Sequence, residues 1–269
     1  MPVAFPTLLR EHRARRRLSQ EQLAFLANVS PRHLSCMETG KAQPSRQMVL
    51  LLARALELEL REKNSLLLSA GYAAAYPTTP LDALAMTPVS RAMDLLLAQQ
   101  EPYGAVLLDR LWNVRRMNAG AQRLLMAFLD PRLVPLSVAT NLVRASLHPD
   151  GLRSHIVNFP EVAALLLERL ERSHHAHPED AERHALLQEV RGYPGLDCLA
   201  GTLPSGAAPV AVLQLRLGAG QLKLFSMLTT LGTPLDVTAE DLTIESFFPA
   251  DEETERWFQQ RRAMDPSLS

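Results

Sequence analysis

The sequence predicts an α+β protein with an all-helical head and a mixed body, on three observations. Residues 6–70 repeat at helical spacing: Leu8, Leu9 and His12, then Leu23, Leu26 and Ala27, then Leu34 and Met37. Late in the chain, "VAVLQLRLGAGQLKLFSMLTTLGTP" alternates Leu with Gln, Arg and Lys at period two and is broken by Gly218 and Gly220, the pattern of a hairpin. Charge divides the same way. Residues 1–70 hold 11 Lys and Arg against 6 Asp and Glu, a balance of +5, while the remainder holds 17 against 23, a balance of −6. A basic head on an acidic body points to a polyanionic partner for the head alone.

In the head, Ser19 is a good N-cap, and Gln22 three residues later completes a capping box. Asn28 falls at a joint that requires a left-handed residue, which Asn tolerates better than most. Ser30 caps the next helix, Pro31 takes its first position, and Gly40 ends it. With Leu34, Met37 and Glu38 turned inward, Arg32, Cys36 and Thr39 face outward, flanked by His33 and Ser35. That is how a helix enters a major groove and touches base edges near its N-terminal end. Two further helices follow, "SRQMVLLLARALEL" and "LREKNSLLLSAG", with Ser45 and Gly71 as start and stop signals.

"GYAAAYPTTPLDALAMTP", residues 71–88, reads as the linker, because it holds three prolines and small residues. Beyond it, residues 104–118 suggest two short strands around a turn. Asn118 is placed to cap a helix running to about Leu129. Helical patterns recur at 160–174 and 179–190, "LTIESFFP" is a third late strand, and "DEETERWFQQRR" is a closing helix with acids first and arginines last. The expected organisation is a head over 1–71, a linker and connecting helix over 72–101, a body over 102–262 and a tail over 263–269.

The stretches "LSQEQLA", "VS", "ETGK" and "PS" resemble the Cro/repressor, or xenobiotic-response-element, type of helix-turn-helix, with Asn28 in place of the customary Gly. The resemblance implies that Gln20 contacts phosphate or a base edge and that Arg32, His33 and Cys36 face bases. Ser30, Lys41 and Arg46 become candidates for phosphate contacts, and Glu38 is expected to pair with Arg13 and lock the reading helix. Arg32 is the strong bidentate donor of the outward face, so it is expected to read a guanine. Arg15, Arg16 and Arg17 read equally as phosphate contacts or as a solvated charge run.

Behind the head, "AVLLDRLWNVRRMNAGAQRLL", "NLVRASLHPDGLRSHIVNF" and "LTTLGTPLDVTAEDLTIESFFPADEET" resemble the MmyB-like ligand-binding domain, a fold related to PAS. The resemblance implies an antiparallel sheet flanked by helices around an apolar cavity, with a fatty-acid-like or acyl effector. Trp112 and Val114 on a strand, with Leu124, Leu125 and Phe128 on the next helix, are compatible with a pocket wall and equally with plain core. Asn141 and Arg144 share a helical face, close to His148. Arg144 is either the anchor of a carboxylate head group, which its planar fork suits, or the partner of a surface acid or a helix C-terminus. "HPDG" also reads as a turn.

His174, His175, His177 and His184 crowd into a charged connection containing proline, unlike the packed ligands of a structural or catalytic zinc. "GAG" at 218–220 lacks the Lys-Ser/Thr and helix of a phosphate loop. No nucleophile–base set is recognisable, so no enzyme is expected. Cys36 and Cys198 are the only cysteines. There is no signal-peptide pattern, and no apolar run nears the roughly 20 residues of a bilayer span, so the expected setting is cytoplasmic, without a membrane. No metal or cofactor is expected beyond a bound acyl ligand. The reading is a homodimeric, operator-binding transcriptional regulator whose body senses a small apolar effector. Its rivals are a constitutive DNA-binding protein whose body only dimerises or meets another protein, and a DNA-binding head fused to an enzyme.

Overall fold

A computed structural model describes residues 3–130, 132–196 and 209–263. Cys198 and residues 264–269 of the expected tail lie outside them. The chain divides into two compact units, 1–87 with 231–240, and 88–230 with 241–269. Among the described residues, no helix is long and apolar enough to cross a membrane.

The first unit is built on α1 (Phe5–Arg15), α2 (Gln20–Leu26), α3 (Pro31–Glu38), α4 (Arg46–Ala55) and α5 (Leu60–Ser69). Leu9, Leu23, Ala24, Leu34, Met37, Leu52 and Leu66 are wholly buried between them. The starts of α2, α3 and α4 are set by Ser19, Ser30 and Ser45, whose hydroxyls accept from the amides of Gln22, His33 and Met48 at 3.1–3.2 Å. The capping box at Ser19 is complete. Asn28 takes φ +50° at the α2–α3 joint and Gly40 φ +75° after α3, so both left-handed expectations hold.

Residues 231–240, which the sequence reading assigned to the body, are part of this helical unit. The reason is backbone satisfaction. The Glu240 carboxylate accepts from the Leu60 amide at 2.7 Å, at the open N-terminus of α5. Asp236 accepts from the Thr79 amide at 3.2 Å, and the Val237 amide donates to the Pro77 carbonyl at 2.9 Å. Within the connecting segment, the expected helix is α6 (Thr87–Gln99).

In the second unit β1 (Ala105–Leu108) and β2 (Val114–Met117) form the first hairpin, and α7 (Ala119–Met126) follows. Then come α8 (Leu136–Ala139), α9 (Leu142–Leu147), α10 (Phe159–Ala176) and α11 (Ala181–Arg191). After them come β3 (Leu213–Leu217), β4 (Gly220–Thr230), β5 (Thr243–Pro249) and α13 (Glu252–Ala263), with α12 (Val237–Asp241), nearly all of it in the helical unit, between β4 and β5. The strands form one antiparallel sheet in the order β2-β1-β5-β4-β3. The sheet flanked by helices is the PAS-like arrangement implied by the resemblance. Trp112, expected on a strand, instead occupies the β1–β2 turn with φ +66°.

Asn118 is the joint of this unit. Its Oδ1 accepts from the Ala105 and Ala121 amides, both at 2.9 Å, and its Nδ2 donates to the carbonyls of Leu97 and Tyr103. One buried side chain thus caps α7, starts β1 and holds the end of α6. Gly120 permits the approach, because a Cβ there would lie 2.4 Å from the Tyr103 carbonyl oxygen.

His12 carries a pH dependence in the helical unit. It is buried between α1 and α5, where Arg15 and Glu62 meet its ring. Burial, and then the Arg15 charge, lower its pKa to about 4 against the attraction of Glu62, with Arg16 adding a smaller push. The unfolded chain therefore binds a proton that the folded chain refuses between the ordinary histidine value and about 4. Stability is complete above that window and falls as the pH drops through it, by roughly 3 kcal/mol in all. Urea unfolding at stepped pH is expected to show this loss, and His12→Gln to flatten it.

Candidate DNA-reading helix and effector cavity

α3 is held from beneath by a buried carboxylate. Glu38, 1% exposed, accepts from Arg13 Nε at 2.7 Å and Arg13 Nη2 at 2.9 Å, and from Gln20 Nε2 at 2.7 Å. Burial pushes the Glu38 carboxyl up, but the Arg13 and Gln20 hydrogen bonds and the Arg13 charge outweigh it and hold it below the usual carboxylate range. Three helices are joined in this way: α1 through Arg13, α2 through Gln20 and α3 through Glu38. The Arg13–Glu38 pair was expected. Gln20 was expected at the DNA; half-exposed, it also donates its amide nitrogen to the lock.

Arg32 and His33 on the first turn of α3, and Lys41 and Arg46 beyond it, are exposed. The Ser30 hydroxyl is taken up as the α3 cap, and Cys36 is half-buried with a free thiol. The arginine run is partly internal. Arg15 bonds Glu62 at 2.9 Å, and Arg16 bonds the Glu57 carbonyl at 2.6 Å.

The second unit holds a half-open cavity of about 1060 Å³, between the sheet and helices α7, α9 and α10. Leu125 and Phe128 line it as expected, together with Val114, Val162, Leu166 and Phe247. Trp112, Asn141, Arg144 and His148 are not among the lining residues, and each has a reason. Asn141, 1% exposed, caps α9 by accepting from the Arg144 amide at 3.1 Å, and donates to the Leu111 carbonyl at 2.7 Å. Arg144 forms a bidentate pair with Glu189 at 2.8 and 2.7 Å, and Tyr193 donates to the same carboxylate at 2.7 Å. Of the roles left open for Arg144, the surface-acid partner is the one its contacts fill. His148 packs edge-on against Tyr193, and its Nδ1 accepts from the Asp150 amide at 3.1 Å, so "HPDG" is a turn.

Among the charged residues that line the cavity, all of them passed over by sequence reasoning, Arg169 and Glu245 stand out. Arg169 on α10 stacks over the Trp112 ring at 4.3 Å, so Trp112 supports a lining residue without lining the cavity itself. Glu245 on β5 is 5% exposed, and its Oε2 has no hydrogen-bond partner among the described residues. Burial raises the Glu245 carboxyl, more strongly than its hydrogen bond from the Ser226 side chain and the Arg169 charge lower it. A signal was available. Glu245 interrupts the apolar face of "TIESFFP" two residues before Phe247, and Arg169 lies three and four residues after Leu166 and Leu165, on the apolar side of its helix. Elsewhere on α10 and α11, the His174 ring lies 4.9 Å from His184 and 5.9 Å from His175.

A helix-turn-helix unit joined to a cavity-bearing sensor unit defines a ligand-sensing transcription regulator. Residues 5–66 match the helix-turn-helix domain family, and residues 89–260 match the MmyB-like transcription regulator ligand binding domain. The second match covers well over half of the sequence, and the chain belongs to the MmyB-like transcription regulators. Over 64 residues it is 36% identical to Multiprotein-bridging factor 1b of Arabidopsis thaliana, a match covering 24% of this chain and 45% of that protein. It also overlaps the structure of an RNA-binding light-oxygen-voltage receptor at 13% identity, over 91% of this chain and 57% of that one, with a TM-score of 0.27. The chain thus spans about half the length of the proteins it matches in these two comparisons.

The lock predicts its own failure. Glu38→Ala leaves the Arg13 guanidinium without its partner, which costs about 3 kcal/mol at a partly solvated pair. Urea unfolding of the variant is expected to show that loss.

Proposed function

We propose that this protein is a homodimeric, cytoplasmic regulator that reads a double-stranded DNA operator and responds to a fatty-acid-like or acyl effector held in the cavity of its second unit. The observation that carries the reading is that cavity, about 1060 Å³, large for a small-molecule site and walled mainly by Leu, Val and Phe side chains. The head supports the other half. Arg32 and His33 stand free at the N-terminal end of α3, with Lys41 and Arg46 placed for phosphate, while Cys36 has only part of its surface available. Gln20 supports the reading indirectly, by fixing Glu38 and through it the attitude of α3.

A homodimer follows from the economy of DNA reading, since one module buries little surface and two-fold operators match two-fold proteins. The domains proposed are the DNA-binding head over 1–71, with residues 231–240 joined to it, a connecting helix within 72–101, and the sensor over the rest of 102–262. The strands β4 and β5 contribute Phe225, Ser226, Glu245 and Phe247 to the cavity, and the residues joining them belong to the helical unit. That continuity of chain is a physical path for a ligand that favours one arrangement of the sheet. The body is proposed as a sensor and not a catalyst, since both matched families describe regulator domains.

Two measurements test the reading. Solvent extraction of the purified protein is expected to release an acyl lipid on mass spectrometry, and long-chain acids to raise the melting temperature. No bound or stabilising compound across a broad acyl panel would favour a constitutive DNA-binding protein. Operator selection is expected to return a site with a guanine that Arg32→Ala no longer prefers, at roughly 1–3 kcal/mol of discrimination. An unchanged guanine preference would remove Arg32 from the reading set.

A further inference from the structure

The polar groups that line the cavity fall into two kinds. Most are already occupied. Ser146 donates its hydroxyl to the Leu142 carbonyl at 2.8 Å, Asn158 bonds Glu161 and the Val212 carbonyl, and Arg172 bonds Glu168. Arg169 and Glu245 are different. Among the described residues, Arg169 makes no hydrogen bond or ion pair, only its stack on Trp112, and Glu245 Oε2 has no partner. Both line the same cavity, and each acts electrostatically on the other. Leaving the buried Glu245 oxygen unsatisfied costs free energy unless a ligand completes it, and the half-buried Arg169 keeps its N–H donors available beside it.

Resting on the acyl reading above, we propose that Arg169 and Glu245 form the head-group subsite of the cavity and together hold a single carboxylate. Arg169 donates through its planar fork, and Glu245 donates its own carboxylic hydrogen to the same anion. Arg169 is suited to the task because its ring stack orients the guanidinium without consuming its N–H donors. Glu245 is suited because burial disfavours its charged form, so it meets an anion as a donor rather than as a second negative charge. An ionised Glu245 would instead repel the ligand, so the subsite holds a carboxylate only while that proton stays on.

The surroundings preserve this arrangement. Towards Glu245, α10 presents Arg169, with Arg172 and Glu168 neutralising one another, and β4 presents Ser226. β1, β2 and α7 line the cavity with Val106, Val114, Ala121, Leu124, Leu125 and Phe128, none of them charged. α9 adds Ala139's neighbour Leu142 with Ala145 and the engaged Ser146, while Glu161 at the start of α10 is bonded to Asn158.

The test uses the delipidated full chain and three probes of equal chain length, palmitate, methyl palmitate and hexadecanol, with affinity measured from acidic to alkaline pH. Palmitate is expected to bind roughly tenfold more tightly than the ester or the alcohol, the scale of a charge-assisted hydrogen bond. That advantage is expected to fade as the pH rises and Glu245 ionises. Arg169→Met is expected to abolish the preference for palmitate, and Arg169→Lys to reduce it. Glu245→Gln, which keeps an N–H donor and cannot ionise, is expected to retain the preference and lose its pH dependence. Circular dichroism melts establish that each variant is folded. Equal binding of all three probes, or an undiminished palmitate preference in folded Arg169→Met, would overturn the subsite and leave the apolar cavity reading intact. Failure of every probe to bind would overturn the acyl reading itself.

Discussion

Taking a carboxylate out of water is costly unless something replaces the water, and the two units of this protein meet that constraint in opposite ways. In the head, Glu38 is surrounded by donors from two other helices, Arg13 and Gln20, and stays charged. The result is a rigid tripod beneath the reading helix. In the sensor, Glu245 is almost as deeply buried, yet one of its oxygens is unmet among the described residues and its charged form is disfavoured. One carboxyl is closed upon the protein. The other lines a cavity.

The same contrast explains why polar residues dominate the architecture of a cavity whose wall is apolar. Asn118 and Asn141 are both buried, and each uses its amide twice, as a helix cap and as a tie to a neighbouring carbonyl. They fix where α7 and α9 begin, and therefore where the Leu and Val side chains of those helices face the sheet. Arg144 and Glu189 then close the outer side of α9 against α11. A cavity can persist inside a well-packed domain because its frame is held by directional bonds and does not need its centre filled.

Much of the fold was legible because it is written in local chemistry. Ser19, Ser30 and Ser45 cap helices through contacts three residues away, Asn28 takes the left-handed turn, and the Leu alternation of 213–224 becomes a hairpin. The site was legible only where local pattern and position coincide, as at Leu125 and Phe128. Arg144 drew attention as an arginine near apolar neighbours, but Glu189 lies 45 residues later, and nothing within a helical turn announces that pairing. Residues 231–240 misled for a similar reason. Their partners at Leu60, Pro77 and Thr79 are more than 150 residues away in sequence.

By itself, then, the sequence determined the class of protein: a helix-turn-helix head, its caps and joints, the exposed Arg32 and His33, and a mixed α+β body behind it. These depend on periodicity and on neighbours within a few residues, which any stretch of chain carries with it. Tertiary structure alone decided which charges are satisfied and which are not. Gln20 was turned to Glu38, Arg144 to Glu189 and Trp112 to Arg169, and Glu245, which lines the cavity, was left with one oxygen unpartnered among the described residues. Whether a polar group is occupied depends on what folding brings beside it from distant parts of the chain, and no local pattern records that.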